Sequence, residues 1–127
     1  MVLLDSHVLL WRLDRSRELG AETLRLLDDA DATYVSAATI WELTIKAMRG
    51  KLQMPEDFER RLERRGYESL WVTGQHAAGL RRFPELVRHD PFDRLLVSQA
   101  DAEGLQLLTA DRVLLGLGLD FVVDALS

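Results

Sequence analysis

Val2-Leu3-Leu4-Asp5-Ser6-His7-Val8-Leu9-Leu10-Trp11 changes its hydrophobic period partway through. Three apolar residues in a row read as a short strand buried on both faces, and the stretch from His7 to Leu13 then takes up helical periodicity. Asp5 falls at the junction. In an open parallel sheet, ligand sites form just beyond the carboxyl ends of the strands, and this junction puts an acid there. A second, more polar amphipathic stretch follows over Ala21–Ala30.

The strand-then-helix pattern recurs along the chain. Thr33-Tyr34-Val35-Ser36 is β-branched and aromatic, and Ala37–Arg49 places Ile40, Leu43 and Ala47 at helical spacing before Gly50. Pro55–Arg65 reads as a charged helix with a favoured proline start, ended by Gly66. Glu68–Val72 reads as a third strand, and Thr73 caps a further helix. Asp90-Pro91 starts a buried helix over Phe92–Ala102 that stops at Gly104. Leu105–Thr109 is another apolar strand, Asp111–Leu115 a helical turn, and Phe121-Val122-Val123 a last strand. Strands alternating with helices predict a mostly parallel sheet covered on both faces.

A chain of 127 residues without repeats or linkers is expected to form one domain over residues 1–127. The absence of cysteine excludes disulfides, thiolate metal sites and a cysteine nucleophile, so a metal would need oxygen ligands or all of His7, His76 and His89. The three histidines lack a ligand-like spacing along the chain. No apolar run approaches the roughly 20 residues needed to span a bilayer, and the first strand begins at Val2, so a cytoplasmic location without membrane contact is expected. The net charge of -5 by itself argues against nucleic acid as a partner. Acids that hold cations would remove the objection, because part of that charge would then be neutralised in the site.

Four acids stand at or just past strand ends: Asp5, Glu42, Asp93 and Asp111. Their convergence would be strongly repulsive without cations between them, and oxygen ligation selects hard ions such as Mg²⁺ or Mn²⁺. Each acid also has a plain structural reading. Asp5 can cap the helix after it, although the adjacent Ser6 can serve equally. Glu42 can pair with Lys46 four residues on. Asp93 can be the third residue of a helix capped by Asp90, and Asp111 can cap its own turn. Trp11, Trp41 and Trp71 fit apolar patterns and are expected in the core or an interface. Arg60, Arg61, Arg64 and Arg65, with Arg81, Arg82 and Arg88, make either a solvated face or an RNA-backbone surface.

Four stretches in order resemble a known family: Leu3–Trp11, Ser36–Leu43, His89–Leu96 and Leu108–Asp111. Together they are similar to PIN domains, and among them to the VapC-type toxins of type II toxin–antitoxin systems. The resemblance implies a three-layer α/β/α sandwich and carries the metal-binding acids over to Asp5, Glu42, Asp93 and Asp111. Ser36 and Thr109 match small hydroxyl positions near that site. Ser6 stands where the common pattern has threonine, and Arg94 matches a recurrent basic residue with no assigned role. The implied activity is Mg²⁺-dependent (or Mn²⁺-dependent) endoribonuclease chemistry, hydrolysing RNA to a 5′-phosphate and a 3′-hydroxyl. A VapB-type antitoxin and a second copy of the chain are the implied partners.

Two other readings compete. A phosphatase on a similar sheet would want a second aspartate two residues after the first, and that position is His7. A PIN-fold module that only binds a partner, or a non-toxin RNA-processing nuclease, is the alternative within the same fold; retention of all four acids disfavours the first of these.

Overall fold

The computed structural model describes residues 1–127. Five strands, β1 (Val2–Leu4), β2 (Thr33–Ser36), β3 (Glu68–Leu70), β4 (Gln106–Thr109) and β5 (Val122–Asp124), form one sheet in the order β3-β2-β1-β4-β5. Every neighbouring pair is parallel. The helices are α1 (Ser6–Leu13), α2 (Ala21–Asp29), α3 (Ala37–Met48), α4 (Phe58–Arg64), α5 (Gly74–Ala78), α6 (Pro91–Glu103) and α7 (Arg112–Leu115). Two 3₁₀ turns, Gly79–Arg82 and Pro84–Leu86, lead from α5 to α6.

The central strand divides the core by its two-residue period. Val2 and Leu4 of β1 face one layer with Val8, Leu9, Leu27, Leu43 and Leu62 from α1 to α4. Leu3 faces the other with Leu96, Val97 and Ala100 of α6 and Leu114 of α7. Helices on both faces make the expected α/β/α sandwich. All three β1 residues are fully buried, and burying a side chain of this size stabilises the fold by about 1.5–3 kcal/mol.

Chain order runs outward from β1 to β2 and β3 on one side, then returns to β4 and β5 on the other. The carboxyl ends of β1 and β4 therefore flank the point where the winding reverses, the position at which open α/β sheets form a crevice.

Most element ends fall within a residue of the sequence expectation, and the differences at the charged helix, β3 and the last strand have a local reading. The charged helix begins at Phe58 with Asp57 as its cap, not at Pro55, because the chain from Pro55 first makes a turn that closes through the Phe58 N–H on the Pro55 carbonyl at 3.2 Å. β3 stops at Leu70, short of Val72: its pairing with β2 ends when Ser36 leaves that strand. The last strand runs Val122–Asp124, one residue later than expected. Thr73 does cap α5, and His76 reciprocates by accepting the Thr73 N–H on its Nδ1 at 3.1 Å. Gly104 ends α6 in the left-handed conformation, φ 66°, which glycine adopts without cost.

Candidate metal centre

The four acids named from the sequence arrive from four elements and line one cleft of about 390 Å³. Ser6, His7, Trp11, Lys46, Asp90 and Ala110 complete its wall.

Asp5 follows β1 and is nearly inaccessible at 4% exposure. One oxygen accepts the Val8 N–H at 2.8 Å and so caps α1; the other accepts the Thr109 hydroxyl of β4 at 2.5 Å. The cap is thus Asp5, while Ser6 lies within the helix and donates to Glu42 Oε2 at 3.2 Å. Thr109 in turn accepts the Asp111 N–H at 3.0 Å, so one hydroxyl locks the ends of β1 and β4 together. Ser36, the other hydroxyl position of the family pattern, is spent on capping α3 through the Ala38 N–H at 3.0 Å.

Glu42 is also buried, and Lys46 pairs with its Oε2 at 2.8 Å. Its Oε1 has no hydrogen-bond partner. A buried carboxylate oxygen left unpaired is costly, and such an atom on a cleft wall fits a site for a cation.

Asp90 caps α6, accepting the Phe92 and Asp93 N–H groups at 2.9 and 3.2 Å. Asp93 stands in the first turn of that helix, and Asp111 caps α7 through Val113 and Leu114 at 2.9 and 3.1 Å. His89 Nε2 lies 3.3 Å from one oxygen of Asp93 and 3.3 Å from one of Asp111. Those three ligand atoms lie within 4.8 Å of one another, close enough to hold one metal ion.

The plain structural readings therefore hold for Asp5, Glu42, Asp93 and Asp111 alike, and the same carboxyl groups still line the cleft. A cap uses one carboxylate oxygen and leaves lone pairs for another partner.

Electrostatics separate the acids. Burial raises the Asp5 carboxyl above its ordinary value, against the lowering pull of the Thr109 and Val8 hydrogen bonds and of His7. Asp93 is pushed up to about 7, first by burial and then by the charges of Asp90, Asp5 and Asp111, with His89 opposing. A bound cation would reverse that shift.

His89 joins the acids although its spacing from His7 and His76 does not mark it as a ligand. The signal was its place four residues before Asp93 at a helix start. Arg94 acquires a role: its Nη1 donates to the Val87 carbonyl at 2.8 Å, tying the segment ahead of α6 to that helix. Two tryptophans are not core residues. Trp41 is 63% exposed, with its ring edge-on to Phe92 at 5.4 Å, and Trp71 is 77% exposed beyond the end of β3. Their apolar patterns describe helix and strand faces that the fold leaves uncovered. No helix is long and apolar enough to cross a membrane.

Comparison with known proteins bears on the family and the fold. The chain is 30% identical over 113 residues to Ribonuclease VapC22 of Mycobacterium tuberculosis, covering 87% of each chain. Among solved structures it resembles a toxin–antitoxin complex from Klebsiella pneumoniae, with a TM-score of 0.71 at 17% identity over 98% of both chains. It also resembles VapBC2 from Rickettsia felis bound to a DNA fragment from their promoter, with a TM-score of 0.67 at 17% identity over 93% of this chain and 94% of that one. At such identity these two likenesses bear on the fold alone. A family profile described as PIN domain matches residues 2–117. With that match spanning almost the whole sheet and every acid of the cleft, the chain belongs to the PIN-domain family.

Proposed function

We propose that this protein is a metal-dependent endoribonuclease, the toxin of a type II toxin–antitoxin pair, and that Asp5, Glu42, Asp93 and Asp111 hold its Mg²⁺ or Mn²⁺. The observation that carries the reading is the convergence of these four acids on one cleft at the reversal point of the sheet, with the buried Glu42 Oε1 unpartnered. The relative named Ribonuclease VapC22 supports the choice of reaction, and the toxin setting is the reading we attach to it.

The donor set is oxygen-rich with one imidazole at its margin, which suits Mg²⁺ and Mn²⁺. Bound there, the metal supplies an activated water and neutralises charge developing on the phosphorus. The chain itself supplies position. Thr109 and the Val8 N–H fix the Asp5 carboxylate, so its remaining lone pairs keep one direction. Ser6 and Lys46 hold Glu42 by Oε2 and leave Oε1 free for a ligand role. Asp93 stands in the first turn of α6 and Asp111 caps α7, so each carboxyl is held at a fixed place on the cleft wall.

An antitoxin of the VapB type is the expected partner. An arginine from it would find paired carboxylates in this cleft, Asp93 and Glu42 among them, and would inhibit by occupying the place of a cation. Exposed Trp41, Met48 and Trp71 offer apolar surface for that partner and for a second copy of the chain, the expected homodimer.

Expression in a bacterial host tests the reading. The parent should arrest growth and cleave RNA with Mg²⁺ or Mn²⁺ in vitro, and co-expression of the adjacent small gene should relieve the arrest. A chain that neither arrests growth nor cleaves RNA would defeat the assignment; cleavage without arrest would leave a nuclease that is not a toxin.

A further inference from the structure

Beyond the acidic cleft, at the far end of α1, the surface changes sign. Arg12, Arg15 and Arg65 line a second cleft of about 440 Å³ together with Trp11 and Tyr67. Trp11 belongs to both clefts, and its ring lies 6.1 Å from that of His7 on the acidic side. Arg12 stands seven positions after Asp5, the cap of α1, roughly 10 Å along the axis. The two clefts are thus successive stations beside α1, joined by one aromatic ring.

The charges of this second cleft are largely uncompensated. Arg12 pairs with Asp28 at 3.1 Å and lies beside Tyr67, whose hydroxyl is pushed up by burial and pulled back by that guanidinium. Arg15 and Arg65 make no ion pair. In a chain of net charge -5, this cleft is lined by three arginines and no acid.

Arg15 is also held at a conformational cost. It has φ 52°, the only left-handed non-glycine residue of the chain. The Ser16 N–H bonds the Trp11 carbonyl at 2.8 Å and the Arg15 N–H bonds the Arg12 carbonyl at 3.3 Å, the double bond pattern that closes a helix and favours glycine at this position. Strained residues of this kind collect at binding sites.

We propose that this cleft binds the backbone of a single-stranded RNA segment flanking the scissile bond, with Arg12, Arg15 and Arg65 on phosphates and Trp11 and Tyr67 against bases. The inference rests on the ribonuclease reading and names where the substrate is held. Phosphates approaching a protein of net negative charge need a local basic path, and cationic grooves interleaved with aromatic rings are how proteins hold single strands. Ser16, Leu19 and Leu24 complete the wall, so a protein segment is the competing occupant and forms one arm of the test.

The test is fluorescence anisotropy with a fluorescein-labelled 20-nucleotide single-stranded RNA of mixed sequence, in EDTA to prevent turnover. Cleavage of total bacterial RNA in Mn²⁺ is measured alongside. The double variant Arg15→Ala, Arg65→Ala should bind about tenfold or more weakly, and the slope of log affinity against log salt should shrink by about 0.7 per arginine removed. In cleavage KM should rise and kcat should hold. Arg15→Gly should bind more weakly yet melt at a higher temperature, since glycine relieves the strain while the charge is lost. If the parent cleaves RNA and these substitutions change neither affinity nor salt slope, this inference falls and the ribonuclease reading stands. Unchanged RNA affinity with lost capture of the co-expressed antitoxin would make the cleft a protein-docking surface and equally overturn it. A parent that cleaves no RNA defeats both.

Discussion

Asp5 and Asp93 share one cleft and live under opposite regimes. Each oxygen of Asp5 has a donor built into the fold, the Val8 N–H on one side and the Thr109 hydroxyl on the other. Asp93 has no such donor; its nearest charged neighbours are three other acids and His89 at 3.3 Å. The strand side of the site is therefore preformed by the protein, while the helix side waits on whatever cation arrives. The lesson is that a ligand site can be half scaffold and half unbalanced charge, and that the unbalanced half should respond to pH and metal.

The largest expected effect treats both halves alike. Asp5→Asn and Asp93→Asn should each lower metal-dependent RNA cleavage by about two orders of magnitude or more, because each removes a charged ligand with little change of volume. Gel-based cleavage assays on folded variants check this. If either retains near-parental cleavage with the same Mg²⁺ dependence, that residue is not part of the site.

Stability against pH should then respond at both acids, with Asp93→Asn isolating the helix side. A carboxyl whose folded value lies above its unfolded value binds its proton more tightly in the folded state, so its contribution is present at low pH and is lost as pH rises through the folded value. For Asp93 that window runs from about 4 to about 7. The full window corresponds to about 4 kcal/mol; because Asp93 is only partly buried, solvent screening leaves an expected loss on the order of 2 kcal/mol in the metal-free protein, and the raised Asp5 adds in the same direction. Asp93→Asn should flatten the profile and raise the melting temperature at pH 8, and Mn²⁺ should restore the parent by binding the folded state. Denaturant melts at several pH values measure it. A parent equally stable at pH 5 and pH 8 would show that Asp93 feels no such repulsion.

Thr109→Val probes the preformed half. It preserves shape, strips the donor from Asp5 and the acceptor from the Asp111 N–H, and should cost about 1–3 kcal/mol with reduced cleavage. A neutral outcome in urea melts would mean that water replaces the hydroxyl. Least of all, Asp90→Asn should change stability by less than about 0.5 kcal/mol, since asparagine caps as well, whereas Asp90→Ala should cost about 1 kcal/mol. Loss of cleavage by Asp90→Asn without loss of stability would move Asp90 into the metal site.

The strand side was the legible side. Val2-Leu3-Leu4 and Leu107-Leu108 announce buried strands by their unbroken apolar runs, and an acid after such a run falls at the sheet edge by topology alone. The helix starts at Asp90-Pro91 and Asp111 were legible because cap chemistry is local. What was not legible depended on how elements pack. His89 meets Asp111 across 22 residues of chain only because β4 delivers the start of α7 beside that of α6. The strained turn at Arg15 carries no sequence mark, since arginine is not a residue that a left-handed helix end selects. Trp41 and Trp71 obey apolar periodicity and are exposed all the same, because period reports a face and not what covers it.

Calorimetric titration of Mn²⁺ into the metal-free parent and into Asp93→Asn bears most directly on the claim that the four carboxylates make a cation site. Saturable uptake by the parent at neutral pH, weakened at least tenfold in the variant and in the parent at pH 5, is the expected result. No uptake by the parent, or uptake that Asp93→Asn leaves unchanged, would contradict it.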